Sequence, residues 1–243
     1  MMDDLKLQPL TARSVVLSTL LGSHPPELRV RHLISVGEVF GIAEGTIRVA
    51  LSRMVAAGDL TASDGAYRLT GRLLERQVRQ DDSRTPRTLE WNGTWEMAVV
   101  AAERRPAAER ATLRQAMARL RLAELREGTW LRPANLDRDR PDIITGQCAL
   151  FVARPETDPV ALAASLWDLE VWARRAGRLR TGFDRASGVA EQFTVSAAIL
   201  RHMLADPLLP APLLPAGWPG ESLRATHDRF EGAFRTLLRS HAP

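Results

Sequence analysis

The sequence predicts an α+β fold in three parts, and three patterns carry that reading. Helical apolar spacing recurs three times in the first 60 residues and then gives way to two short strand-like runs around an Asp-Gly pair. A strand, helix, strand, strand order follows between residues 91 and 157, and helical periodicity dominates residues 158–243.

The first helix is read from Thr11 to Leu21, where Val15, Val16, Thr19 and Leu20 fall on one face before Gly22 and Pro25-Pro26 stop it. The second runs from Arg29 to Phe40 with Leu33, Val36 and Phe40 in one stripe, and Gly41 breaks it. The third runs from Glu44 to Ala57: Ile47, Leu51 and Met54 recur at one-turn intervals, Leu60 follows, and Gly58 ends the helix. Leu60-Thr61-Ala62 and Ala66 to Thr70 then bracket Ser63-Asp64-Gly65, a hairpin signal. Three helices and a hairpin make a winged helix-turn-helix, placed over residues 1–75.

Residues 76–90 carry many charges and little periodic apolar content, so they read as a linker. Beyond them, strands are expected at Thr94–Ala101, Thr129–Leu131 and Gln147–Ala153, with a helix at Ala107–Leu122; this is part of a ferredoxin-like arrangement over 91–157. Residues 158–243 read as a C-terminal helical domain. One helix runs from Pro159 through Leu162, Leu166, Leu169 and Trp172, another from Val189 to Leu204, and a last one from Glu221 to Leu238. The proline-rich stretch Asp206 to Gly220 cannot continue a helix and is expected as a rigid extended loop.

With 243 residues, 45% of them apolar, the chain can bury a real core, which excludes a disordered protein. The formal charge of +4 is almost all arginine, Lys6 being the only lysine. It favours an anionic partner only weakly, because acids interleave with the bases. The single cysteine, Cys148, fits a buried strand thiol in a reducing compartment. No run approaches the roughly 18 apolar residues of a membrane span, and the start Met1-Met2-Asp3-Asp4 is acidic, so a cytoplasmic protein without a membrane partner is expected. The histidines His24, His32, His202, His227 and His241 lack paired metal-ligand spacing, and no nucleophile elbow or phosphate-cradling glycine loop occurs. Neither a catalytic residue nor a metal or cofactor site is therefore expected.

Function is read from the third helix. With Ile47 at the centre of its buried face, a 100° step per residue puts Gly45, Val49, Ser52 and Ala56 on the opposite side, flanked by Arg48 and Arg53. Small residues let the backbone approach a major-groove floor, and flanking arginines reach phosphates or guanine. The expected DNA-contacting set is Thr46, Arg48, Val49, Ser52 and Arg53, supplemented by Arg13 and Ser14 near the start of the first helix and by Arg68 on the hairpin, whose tip carries Asp64 and no base. Two other classes compete. A metal-dependent nuclease on the central fold would need a carboxylate on its first strand, where Glu96 alone lies near the start; a non-catalytic assembly protein would use the Trp- and Pro-rich tail.

Four segments together resemble the PaaX family of bacterial regulators: Thr11-Ala12-Arg13-Ser14, Ile47-Arg48 through Arg53 to Gly58 and Leu60, Trp91-Asn92-Gly93-Thr94-Trp95, and Asp206-Pro207-Leu208-Leu209-Pro210 with Trp218-Pro219-Gly220. The resemblance implies a winged-helix head, a ferredoxin-like centre similar to the small CRISPR-associated nuclease fold, a helical C-terminal domain and a homodimer on double-stranded operator DNA. It also implies a repressor released by an acyl-coenzyme A inducer, phenylacetyl-coenzyme A in the name-giving branch, and it places Arg48, Ser52 and Arg53 in the recognition-helix pattern. The chain departs from the pattern in three places. Ala43 stands where a capping Ser is expected, the hairpin tip is short and acidic, and Ala173 to Gly177 replaces an expected aromatic.

Overall fold

In chain order the elements begin α1 (Ala12–Leu21), β1 (Glu27–Arg29), α2 (Val30–Val39), α3 (Glu44–Ala56), β2 (Leu60–Ser63), β3 (Ala66–Leu69) and α4 (Gly71–Arg84). They continue with β4 (Trp95–Val100), α5 (Ala107–Arg119), β5 (Ala123–Arg126), β6 (Thr129–Pro133), α6 (Asp142–Gln147) and β7 (Cys148–Ala153), then α7 (Pro159–Leu166), α8 (Leu169–Asp184), α9 (Gly188–Met203) and α10 (Gly220–Ser240). The computed structural model describes residues 5, 7, 10–101 and 106–240; the acidic start Met1–Asp4 and Lys6 lie outside the described residues. Helix and sheet are mixed, and the chain divides into two units: residues 1–85, 174–205 and 219–243 form one, 86–173 and 206–218 the other.

In the first unit a reciprocal cap starts α1. The Thr11 hydroxyl accepts from the Ser14 backbone N–H at 3.1 Å, and the Ser14 hydroxyl accepts from the Thr11 N–H at 2.8 Å. Two close approaches join α2 to α3. Gly41 takes φ +66° to turn the chain, and at Gly37 a Cβ would lie 2.7 Å from Ile47 Cγ1, so only glycine lets Ile47 seat there. At the hairpin tip Asp64 and Gly65 have φ of 50° and 73°, the two positive values that a two-residue turn of the right twist requires. The sheet order is β1-β3-β2, both pairs antiparallel. Strand β1 lies inside what reads as the approach to the second helix; three residues are too few to show a period of two.

Val16, Leu20, Leu33, Ile47, Leu51, Met54, Leu60 and Leu69 form the core beneath these elements. Each side chain of this size buried in full contributes about 1.5–3 kcal/mol. A second cluster joins Val15 and Val36 to Phe193, Phe230, Phe234 and Leu238 of α9 and α10. Phe40 packs on Phe193 with ring centroids 4.8 Å apart. Residues 158–243, read as one C-terminal domain, are thus divided between the units, because the outer apolar faces of α1 and α2 need α9 and α10 to cover them.

Residues 71–84 correct the expected linker at 76–90: they are the helix α4. Its inward face is Leu73 followed by Gln77, Gln80 and Ser83, three buried polar residues that erase the apolar periodicity. The Gln77 side-chain amide donates to the carbonyls of Leu21 at 3.0 Å and Ser23 at 2.9 Å, pairing the C-terminal end of α1, and the Ser83 hydroxyl donates to Gln80 O at 2.8 Å.

The second unit holds a four-stranded sheet in the order β5-β6-β4-β7, every neighbouring pair antiparallel. Strands β4, β6 and β7 and helix α5 fall where periodicity puts them, but β5 and α6 do not appear in the sequence reading. Ala123-Glu124-Leu125-Arg126 is half exposed and does not alternate, and Arg121 at φ +56° ends α5 before Leu122. The single helix expected from Pro159 to Trp172 breaks at Trp167, whose ring centroid lies 6.4 Å from that of Trp95, and the Asp168 carboxylate then caps α8 by accepting from Val171 N at 3.0 Å. The proline-rich stretch holds no α-helix; it contains a 3-10 turn at Ala211–Leu213 and positive φ at Leu208 and Gly217, and Leu209 and Leu213 pack with Trp95, Leu131 and Leu169.

One charged cluster is buried in this unit. Glu96, 8% exposed, lies 3.6 Å from Arg132 and 3.0 Å from Arg140 and also pairs with Arg138. Arg132 is fully buried and donates to Asn135 Oδ1 at 2.8 Å and Leu208 O at 3.1 Å. Burial first, then the like charge of Arg138, pushes the Arg132 guanidinium down to about 9 against the pull of Glu96, which leaves it charged at neutral pH.

Candidate nucleic-acid interface

Ile47, Leu51 and Met54 pin α3 to the core and turn Gly45, Thr46, Arg48, Val49, Ser52, Arg53 and Ala56 to solvent. Val49 is 51% exposed, a large apolar side chain at the middle of this face with nothing on it. Ala43 sits at the N-cap without a side-chain hydrogen bond, so the first turn lacks the roughly 0.5–2 kcal/mol that a capping hydroxyl contributes.

The two arginines that flank the face differ. Arg48 Nε donates to Glu44 Oε1 at 2.7 Å, an exposed pair one turn apart, while Arg53 makes no ion pair among the described residues. A contact of the first kind is worth only about 0.3–0.5 kcal/mol and yields readily to a better anion. Both guanidiniums can therefore meet a phosphate or a base edge, Arg53 without exchanging a partner.

The remaining expected contacts are engaged within the fold. The Ser14 hydroxyl closes the cap of α1, so it stabilises that helix and is not left to face a ligand. Arg13, half exposed, donates to Asp59 Oδ2 at 2.6 Å, and Arg72 donates to the other oxygen at 2.9 Å. Asp59 is 2% exposed, and its carboxyl is held below the usual carboxylate range, first by the Arg72 hydrogen bond, against burial, with help from Arg13. Arg68 faces Glu27 across the β1–β3 register and donates from Nε to Glu27 Oε2 at 2.7 Å. The hairpin tip presents exposed Asp64.

Sequence reasoning missed Arg72, 76% exposed and joined through Asp59 to Arg13. The available signal was Asp59 itself, an acid directly after the glycine that ends α3 and buried beside Leu60. A buried acid at that position needs a cationic partner, and Arg72 is the nearest arginine beyond the hairpin.

Three family profiles match the chain: "PaaX-like protein" over residues 11–73, "PaaX protein central Cas2-like domain" over 88–149, and "PaaX-like protein C-terminal domain" over 177–242. The chain belongs to the PaaX family. Among solved structures, the protein Rv0674 of Mycobacterium tuberculosis is similar at 47% identity and a TM-score of 0.83, covering 96% of this chain and 99% of its own. No curated protein is similar enough to match. The family's domains suggest a PaaX-like regulator, and among the described residues no helix is long and apolar enough to cross a membrane.

Proposed function

We propose that this chain is a DNA-binding transcriptional regulator whose residues 11–69 act as a winged helix with α3 in the major groove. The observation that carries the reading is the outer side of α3, where small residues surround exposed Val49 and Ser52 between Arg48 and Arg53. Thr46 and Ser52 are placed to reach base edges or phosphates, and Val49 to meet a thymine methyl. Arg13 and Arg72, braced by Asp59, suit phosphate contacts that fix the register of the head. Arg68 contributes only if it exchanges Glu27 for a phosphate.

The β5-β6-β4-β7 order and the strand-helix-strand-strand-helix-strand sequence of the second unit support a ferredoxin-like central domain. A nuclease built on it is disfavoured, because Glu96, the carboxylate on its first strand, is surrounded by three guanidiniums that repel a divalent ion. The resemblance adds a homodimer that places two α3 helices on half-sites roughly 34–36 Å apart. It adds, too, a repressor released by an acyl-coenzyme A effector.

Retardation of promoter fragments from beside the gene, across a salt series, tests the reading. Binding that falls linearly in a log-log plot, with a slope of roughly −0.9 per phosphate contacted, is expected. Folded protein that retards none of these fragments at low salt overturns it.

A further inference from the structure

A small cavity in the first unit lies where α1 and α4 meet α9 and α10. Its volume is about 50 Å3, and its polar lining includes Arg76, Gln80, Ser196, Arg201, His227 and Glu231. A single water needs roughly 10–15 Å3 of such space, so this one takes a few waters or one tetrahedral oxyanion head.

Arg76 is half-buried on α4 and Arg201 lies at the opposite wall on α9, yet neither makes a hydrogen bond or ion pair among the described residues. Burial pushes the Arg76 guanidinium down, and the nearby charge of Arg201 pushes it further. Two like charges from separate helices thus face one small space, near enough to repel each other, with Asp81 and Glu231 as the acids of its lining. Two other bases near this cavity are paired. Arg84 donates to Asp228 at 3.1 Å, and His24 pairs with Asp81 at 2.9 Å. His227, 2% exposed, is bound to the Ser196 hydroxyl at 2.7 Å and held by burial near pKa 4, so it is neutral and adds no positive charge. Glu231 is the one lining acid outside these pairs, and burial raises its carboxyl against the pull of Arg84 and Arg235.

We propose that Arg76 and Arg201, with Gln80 beside them, form a binding site for a phosphoryl group, carried by inorganic phosphate or by a phosphomonoester. A doubly charged tetrahedral group offsets both guanidiniums and offers the two forks three or four oxygens, where one carboxylate offers two. The site stands independently of any DNA contact. Its use in regulation rests on the reading of the chain as a regulator: one wall is built from α1 and α4, which brace the core beneath α3, and the other from α9 and α10.

Titration calorimetry on the full chain at constant ionic strength tests the site with three probes: inorganic phosphate, coenzyme A and acetate. Phosphate, coenzyme A or both are expected to bind, acetate at least tenfold more weakly, and Arg76→Gln and Arg201→Gln each to weaken the phosphoryl probe at least tenfold. Arg178→Gln, on the exposed side of α8, leaves binding unchanged. Arg201 is exposed, so its variant reports even if the Arg76 substitution disturbs folding. Binding of neither phosphoryl probe, an unchanged affinity in a folded Arg201→Gln variant, or acetate bound as tightly as phosphate overturns the assignment. The same probes added to a retardation assay report on coupling alone; a null result there, with binding intact by calorimetry, removes the regulatory use and leaves the site.

Discussion

Arginine is used in opposite ways in two regions of this molecule. On the outer side of α3, Arg48 and Arg53 stand in water, one lightly tied to Glu44 and one without a partner among the described residues. Around Glu96, three arginines surround one buried carboxylate, and Arg132 has no exposed surface. In water a guanidinium keeps its hydration and remains free to exchange partners. Inside the protein it has lost that hydration, and only a fixed counter-charge and carbonyl acceptors hold it there. Burial and pairing, not residue type, separate a cation that can be offered to a ligand from one committed to the fold.

Glu96→Ala tests the committed side most severely. With Glu96 removed, Arg132 and Arg138 stay buried without the carboxylate they share, and the second unit is expected to lose about 3–5 kcal/mol in urea unfolding. A loss below 1 kcal/mol breaks the comparison.

Asp59 lies between the two cases, a buried acid whose partners Arg13 and Arg72 are substantially exposed. Asp59→Asn should cost about 1.5–3 kcal/mol, less than Glu96→Ala, because both arginines regain water. The pH dependence has a definite sign. The folded-state pKa is depressed, so the stabilisation is complete above the unfolded value near 4 and is lost as pH falls through the lower folded value. Acid titration of stability followed by circular dichroism should show a flatter low-pH slope in Asp59→Asn than in the parent.

On the exposed side, Arg53→Ala should leave stability within about 0.5 kcal/mol. On the DNA reading proposed above it should weaken operator binding by about 1–3 kcal/mol, read by fluorescence anisotropy. An equal loss of stability would place Arg53 with the structural arginines instead. The smallest effect is expected for Glu44→Gln, which frees Arg48 and removes an acid from the same face: DNA binding should tighten by about 0.3–1 kcal/mol, with the gain shrinking as salt rises.

Legibility in the sequence followed the same division between water-facing and buried groups. Helices α1, α2 and α3 and the hairpin were readable because each alternates one apolar face with one polar face, and Asp64-Gly65 fixes the turn. Helix α4 was not, since its buried face is Gln77, Gln80 and Ser83, polar groups whose partners lie more than fifty residues away at Leu21 and Ser23 for Gln77. The exposed set on α3 followed from rotation about Ile47. That Ser14, Arg13, Arg68 and Arg48 already have partners did not, because those partners come from the cap of α1, from Asp59, from a neighbouring strand and from the turn before.

The sequence by itself determined the order and type of most elements, the outward face of α3 and the family resemblance, because these rest on periodicity, turn residues and short motifs read along the chain. Tertiary structure alone decided which charges are free. It brought Arg76 of α4 to the same cavity as Arg201 of α9, enclosed Glu96 among three arginines and placed α9 and α10 over the outer side of α1 and α2. The physical reason is that desolvation and Coulomb energy depend on distance in space, and residues far apart along the chain carry no local pattern of that distance.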